Sequence, residues 1–277
     1  MLSSSLGRIA LRPRPLQYCQ SCQASGIYQK YEQFLEKRYP KVYRIHRLVV
    51  DGCRDCLADV KLLYRLNKDL KYGKRELTDM NTKELMCLLQ TQEELPKLVT
   101  ITILAPLPFT LYGLALSIIF FPRFVLTRHF WTDQQKEKFW QMMYKYTFLP
   151  RIRRLQNLNQ NMSLTEPKNV KLVDLSVSHL LNLCKLHRSM PLYGCRGLEQ
   201  RAKILSQLDY VVDKELDGME KLELRNHMFL RRLDFHQKSE EEMRSDLQNW
   251  IAESKKIQSN PGLLLHLPVL LTEKKDR

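Results

Sequence analysis

The sequence predicts an all-α protein in which a single transmembrane helix carries a helical domain. Three observations predict it. Gly is scarce, 9 in 277 residues, and Leu, Lys, Glu, Gln and Arg dominate in place of alternating Val/Ile/Thr runs and Asn-Gly turns. Apolar residues between Ile45 and Tyr64 recur every three to four positions, the period of a helix face. One stretch, LVTITILAPLPFTLYGLALSIIFF from Leu98 to Phe121, carries no charge at all. No internal repeat at a fixed period is present.

The first element is an address. Residues 1–26 contain Arg8, Arg12 and Arg14, several Ser and no carboxylate, with Leu2, Leu6, Ile9 and Ala10 on a short helical face. This is the profile of a mitochondrial transit peptide, and no unbroken apolar run marks a secretory signal. The 7 Cys, an odd number, argue against a disulfide framework. Two Cys-x-x-Cys pairs, Cys19/Cys22 and Cys53/Cys56, have the ligand type for zinc. Their separation exceeds zinc-ribbon spacing, and the second pair lies on a helix stripe where Cys serves as a small core residue. No metal or other cofactor is expected.

Residues 27–96 read as an amphipathic helical segment. Its main helix runs from about Lys41 to Lys71, with Ile45, Val49, Cys53, Cys56/Leu57, Val60 and Leu63/Tyr64 as its seam, Pro40 opening it and Gly73 ending it. Asn81 with Glu84 three residues on caps the next helix.

Residues 97–122 form the expected transmembrane helix. The uncharged run is roughly 36 Å long as a helix, against about 30 Å of hydrocarbon. Pro106 and Pro108 kink it, and the hydroxyls of Thr100, Thr102, Thr110 and Ser117 are available to the freed carbonyls. Upstream, Lys83 and Lys97 are offset by Glu84, Glu93 and Glu94, whereas Arg123, Arg128, Lys136, Lys138, Lys145, Arg151, Arg153 and Arg154 follow. The basic-side rule then puts the C-terminal part in the matrix.

Residues 123–277 read as the helical domain. Thr132 starts a helix carrying Phe139, Trp140, Met143 and Tyr144, Pro150 opens a basic turn, and Asn157–Lys171 is a loop. Further helices are expected at about Val173–His187, Leu198–Val212, Met219–Leu233 and Glu240–Glu253, the last with a Ser239/Glu242 capping box. Gly262–Leu271 is too short to cross a bilayer and should dock into the core.

No phosphate loop, dinucleotide fingerprint, metalloprotease motif or nucleophile elbow occurs, and His179 and His187 have no carboxylate or Cys in register with them. No enzyme is expected. The net charge of +15 and pI of about 9.5 point instead to an anionic partner, ribosomal RNA or anionic lipid.

A set of landmarks now falls into line: Leu98-Val99, Pro108-Phe109, Phe121-Pro122 and Phe130, then Glu223-Leu224-Arg225, Arg231, Glu242-Met243-Arg244, Leu247 and Trp250, and a Leu-rich stretch after Pro261. In these the chain resembles the leucine-zipper/EF-hand-containing transmembrane (LETM) family over roughly Tyr28 to Leu271. It looks like the short LETM-domain-containing type, without the coiled coil and EF-hand of longer members. The resemblance implies a mitochondrial inner-membrane, single-pass anchor and a matrix-facing, 14-3-3-like domain that associates with mitochondrial ribosomes, through RNA or protein, and supports organelle and respiratory-chain homeostasis. It makes Pro106, Pro108, Phe109, Phe121 and Pro122 the landmarks of the span, and Glu242, Arg244 and Trp250 structural residues of the motif. The ribosome-binding candidates are Arg151, Arg153 and Arg154, with Lys168 and Lys171, and a second cluster of Arg225, Arg231 and Arg232.

The alternative the resemblance implies is a component of a cation/proton exchange system, with inner-membrane lipid and a second copy or a LETM-family relative as partners. Two departures bear on it. Leu111 and Ile119 stand where longer members keep an acidic residue and a Lys within the span, and proton-coupled transport needs such a group. Arg232 stands where the motif has Gly, which puts the local turn in question.

Overall fold

In the computed structural model, residues 26–104, 126–158, 170–257 and 260–276 are described, and every regular element among them is helical. The all-α class therefore holds. The transit-peptide segment and most of the expected span, with Pro106, Pro108, Phe109, Phe121 and Pro122, lie outside the described residues, as do Cys19, Cys22 and Lys168. No helix among the described residues is long and apolar enough to cross a membrane.

The chain divides into two compact units, 1–47 and 48–277. In the first, α1 (Gly26–Arg38) is followed at once by the start of α2 (Pro40–Lys71). Arg47 pairs with Glu32 at 3.1 Å, Tyr31 meets His46 edge-on, and Leu35 is buried.

The second unit begins inside α2. Gly73, at φ +64, ends the turn after that helix, since only Gly takes this conformation without a Cβ penalty. The buried stripe of α2 is Gly52, Cys56, Leu63 and Leu66, whereas Val49, Cys53, Leu57 and Tyr64 are exposed. The expected seam is thus one residue out of register along half its length. Asn81 Oδ1 accepts from Glu84 N–H, and Glu84 Oε2 accepts from Asn81 N–H, so α3 (Thr82–Leu104) has the expected capping box.

After residue 125, a 3-10 turn (Arg128–Phe130) lies on Gly52 of α2, where a Cβ would stand 2.6 Å from the Phe130 ring. Thr132 and Gln135 then cap α4 (Asp133–Met143). The expected basic turn at Pro150 is helical instead: a π-helical segment (Tyr144–Phe148) runs straight into α5 (Leu149–Leu158). Pro150 has no N–H to give the preceding turn, and the wider winding absorbs this, with Leu149 N–H bonding to Tyr144 O.

The core is built round α7 (Gly194–Glu215). It packs on α3, α6 (Val177–His187), α9 (Glu240–Lys256) and α10 (Pro261–Asp276), while α8 (Lys221–Leu230) packs on α9. Ser176 caps α6, and the Ser239/Glu242 box caps α9 as expected. Leu263 to Leu271 of α10 are buried, so the tail docks into the core. Gly262 makes that seat possible, because a Cβ there would overlap the Val170 carbonyl.

Candidate functional site

Helices α3, α7 and α8 bring buried charge into this apolar core at two places. The first is Asp209, 1% exposed, on the stripe that also holds Leu205, Leu208 and Val212. Arg231 reaches it at 2.7 and 2.9 Å, Trp250 Nε1 donates at 3.0 Å and Ser254 Oγ at 2.6 Å. A buried carboxylate costs several kcal/mol unless it is paired and hydrogen-bonded, and here the Arg231 ion pair and three hydrogen bonds, from Arg231 Nε, Trp250 Nε1 and Ser254 Oγ, meet the need. Arg231 and Trp250, set apart in the sequence by 19 positions, are thus two ligands of one carboxylate. The other motif residues are also structural: Glu242 is half of the α9 cap, and Arg244 donates to the Met219 carbonyl at 3.0 Å.

The second is Glu93 of α3, whose side chain is 5% exposed. Arg201 and Arg232 approach its Oε1 at 2.7 Å, and Arg188 its Oε2 at 3.1 Å. Burial pushes the Glu93 carboxyl up, but Arg232, Arg201 and Arg188 together outweigh this and hold it at about 2. Arg232 has φ +63, the left-handed conformation that suits the Gly of the motif. The added side chain is led inward, to Glu93 and over the faces of Phe148 and Phe229, 4.3 and 5.4 Å from the ring centres.

These positions correct part of the sequence-based expectation. Arg231 and Arg232 are 0% and 1% exposed, so neither presents its charge on a surface. Arg225 is largely buried and ion-paired with Glu137. Arg151 is partly buried and donates to Thr147 O at 2.6 Å. Burial, and then the charge of Arg154, lower its guanidinium. Arg153, Arg154 and Lys171 are exposed. Lys138 and Lys145 are exposed on the preceding turns and line a cavity of about 550 Å³ with Met142, Tyr146 and Phe235. One stretch of exposed basic residues therefore follows α4 and α5.

A third contact bears on the membrane. Arg128 donates its backbone N–H and Nη1 to Glu94 at 3.1 and 3.2 Å, its Nη2 to Thr91 at 3.0 Å, and it pairs with Asp59. A single crossing between Lys97 and Arg123 would set Glu94 and Arg128 about 30 Å apart on opposite faces. Glu94 and Arg128 are bonded instead, 34 positions apart in the sequence. The single-pass span is therefore not supported, and no helix among the described residues is long and apolar enough to cross a membrane.

Sequence reading did not single out Glu93, Glu94, Arg128, Arg188, Arg201 or Asp209 as members of such clusters. The available signal was a carboxylate on an apolar stripe, as at Asp209. Among the described residues no three His, Cys, Asp or Glu converge as a metal site. His179 and His266 instead share one hydrogen bond at 2.7 Å, and His187 bonds to Leu265 O at 2.8 Å.

An all-helical domain with a doubly charged-paired core and a basic outer face is the class of protein defined by these features. The family described as "LETM1-like, RBD" matches at residues 80–170 and 156–270, and the chain belongs to it. Among its relatives are two proteins named LETM1 domain-containing protein 1. The one from Xenopus tropicalis is 27% identical over 128 residues, 46% of this chain and 36% of the relative. The one from Homo sapiens is 28% identical over 114 residues, 41% of this chain and 32% of the relative. The match thus spans about a third of the curated relatives' length. No solved structure matches.

Proposed function

We propose that this protein is a non-enzymatic, matrix-facing module of the mitochondrial inner membrane that binds mitochondrial ribosomes through the ribosome-binding domain its family is described by. The observation that carries this reading is the division of its arginines: Arg153 and Arg154 are exposed on α5, while Arg188, Arg201, Arg231 and Arg232 are committed to buried carboxylates. The exposed set is what a phosphate backbone or an acidic ribosomal protein would meet. The uncharged run keeps the chain in contact with the bilayer, while both its flanks, joined by the Glu94–Arg128 bond, stay in the matrix. Val99 and Ile103, exposed on the described end of α3, supply apolar surface for that contact. The departures at Leu111 and Ile119 weigh against an autonomous exchanger, which keeps the exchange system as the weaker reading.

The test has two parts. Tags before residue 97 and at the C-terminus should both resist protease in mitoplasts and become sensitive only when the inner membrane is opened. Ribosomes should co-sediment the protein with an affinity that falls as salt rises. Opposite sidedness of the two tags would refute the topology, and absence of co-sedimentation at low salt would refute the partner.

A further inference from the structure

Helix α2 carries two apolar stripes, and its packing uses only one of them. Within the second unit, Gly52, Cys56, Leu63 and Leu66 are buried. Beside them run Val49, Cys53, Leu57, Val60 and Tyr64, spaced by four, four, three and four residues. At 3.6 residues per turn this spacing gathers them within about 80° of the helix surface. Val49, Leu57 and Tyr64 are 47%, 60% and 70% exposed, Cys53 is exposed and Val60 is half-buried. Single exposed apolar residues are ordinary, whereas a continuous stripe marks a contact surface.

The outer edge of this stripe is basic. Lys61, Arg65 and Lys68 follow one another along it, all exposed, and none is ion-paired among the described residues. Arg54 stands in the same row, but it pairs with Asp51 and Asp55. The carboxylates of α2, on Asp51, Asp55, Asp59 and Asp69, fall on the other sides of the helix. An apolar stripe bordered by Lys and Arg suits the interface of an anionic membrane, where the cations meet lipid phosphates. RNA would satisfy the cations and leave Val49, Leu57 and Val60 in water. An antiparallel second copy would set this basic row against its own equivalent.

The surroundings of α2 favour lipid as well. Phe130 lies on Gly52, His129 and Arg128 pair with Asp59, and Arg128 bonds to Glu94, four residues before the uncharged run. The middle of the stripe thus stands beside the root of that run. We infer that the Val49–Tyr64 stripe of α2 rests on an anionic lipid surface, with its apolar side chains among the acyl chains and Lys61, Arg65 and Lys68 at the headgroup phosphates. The inference rests on the reading that the uncharged run contacts the bilayer, and it adds a second contact set by charge.

The experiment uses the full chain with phosphatidylcholine vesicles, with and without phosphatidylglycerol. Cys19→Ser, Cys22→Ser and Cys195→Ser leave Cys53 as the exposed thiol, since Cys56, Cys87 and Cys184 are buried. Cys53 is labelled with the environment-sensitive dye nitrobenzoxadiazole. A control chain with Cys53→Ser and Asp55→Cys moves the label to the polar side. A third chain keeps the label on Cys53 and carries Lys61→Gln/Arg65→Gln/Lys68→Gln. Flotation reports whether the chain is on the vesicle, and quenching by brominated acyl chains reports whether the label touches lipid tails. Blue-shifted emission and quenching of about twofold or more are expected at Cys53 on phosphatidylglycerol vesicles. The Asp55→Cys chain should stay unquenched, and the triple variant should fall to the level seen on phosphatidylcholine alone. Flotation without quenching at Cys53 overturns the stripe contact and leaves the membrane reading standing. A blue shift without quenching also overturns it, because the stripe is then covered by protein, a second copy or an acidic partner. Equal quenching with and without phosphatidylglycerol, in the triple variant or in the Asp55→Cys chain, overturns the charge-set contact. No flotation in any chain overturns the membrane reading and the stripe contact together.

Discussion

Arg232 and Glu93 lie 139 positions apart and meet at 2.7 Å in the core, with the arginine backbone in the left-handed conformation. The relationship joins the loop after α8 to the middle of α3, about one and a half turns before the uncharged run. Removing the carboxylate would strand three guanidinium groups. Glu93→Gln is expected to cost about 3–5 kcal/mol in chemical unfolding. Arg232→Gly should cost clearly less, since it relieves the left-handed strain and leaves Arg188 and Arg201 on Glu93. The reverse order would mean that Arg232 stabilises by packing and not through the carboxylate.

Trp250 is expected to matter through its N–H as well as its bulk. Trp250→Phe keeps most of the apolar volume but takes one of three hydrogen bonds from Asp209. A loss of about 1–3 kcal/mol is predicted. Ser254 and Arg231 stay in place, so the fold should survive with native helix content by circular dichroism.

How far the sequence disclosed this architecture depends on what kind of force sets each feature. Local signals were legible: the Asn81/Glu84, Thr132 and Ser239/Glu242 caps mark helix starts because the cap and its partner are three residues apart. Docking of α10 was legible from its Leu-rich run, too short to cross a bilayer. The π segment before Pro150 was not, because a proline reads as a helix breaker unless the preceding turn can widen. The fate of the arginines was illegible for a different reason. Arg153 and Arg232 are the same residue type in basic surroundings, and only Glu93, brought from far along the chain, separates a solvated cation from a buried one. Arg128 is the same case, since its bond to Glu94 joins residues 34 positions apart.

Gly262→Ala should unseat α10. The new methyl group meets the backbone carbonyl of Val170, which cannot rotate away as a side chain would. Faster amide exchange in α10 than in α7, together with a lower unfolding midpoint, is the expected result.

Acid should weaken the fold well before carboxylates titrate. Burial lowers His227 to about 3 and His266 to about 4, from about 6.5 in the unfolded chain. Between these values the unfolded state binds more protons, so stability is complete above about pH 6.5 and is lost as pH falls through the window. Glu93, held at about 2, adds a second loss below about pH 4.5. Unfolding free energy measured from pH 7 to 4 should therefore decline, and the slope should be smaller in His266→Gln. A flat profile would place these histidines in contact with water.

The most direct test of the ribosome-binding account is co-sedimentation of the Arg153→Glu/Arg154→Glu variant with mitochondrial ribosomes across a salt series. The account predicts unchanged thermal stability, binding weakened at least tenfold at low salt, and a shallower salt dependence than wild type. Wild-type binding and salt dependence in this variant would contradict it.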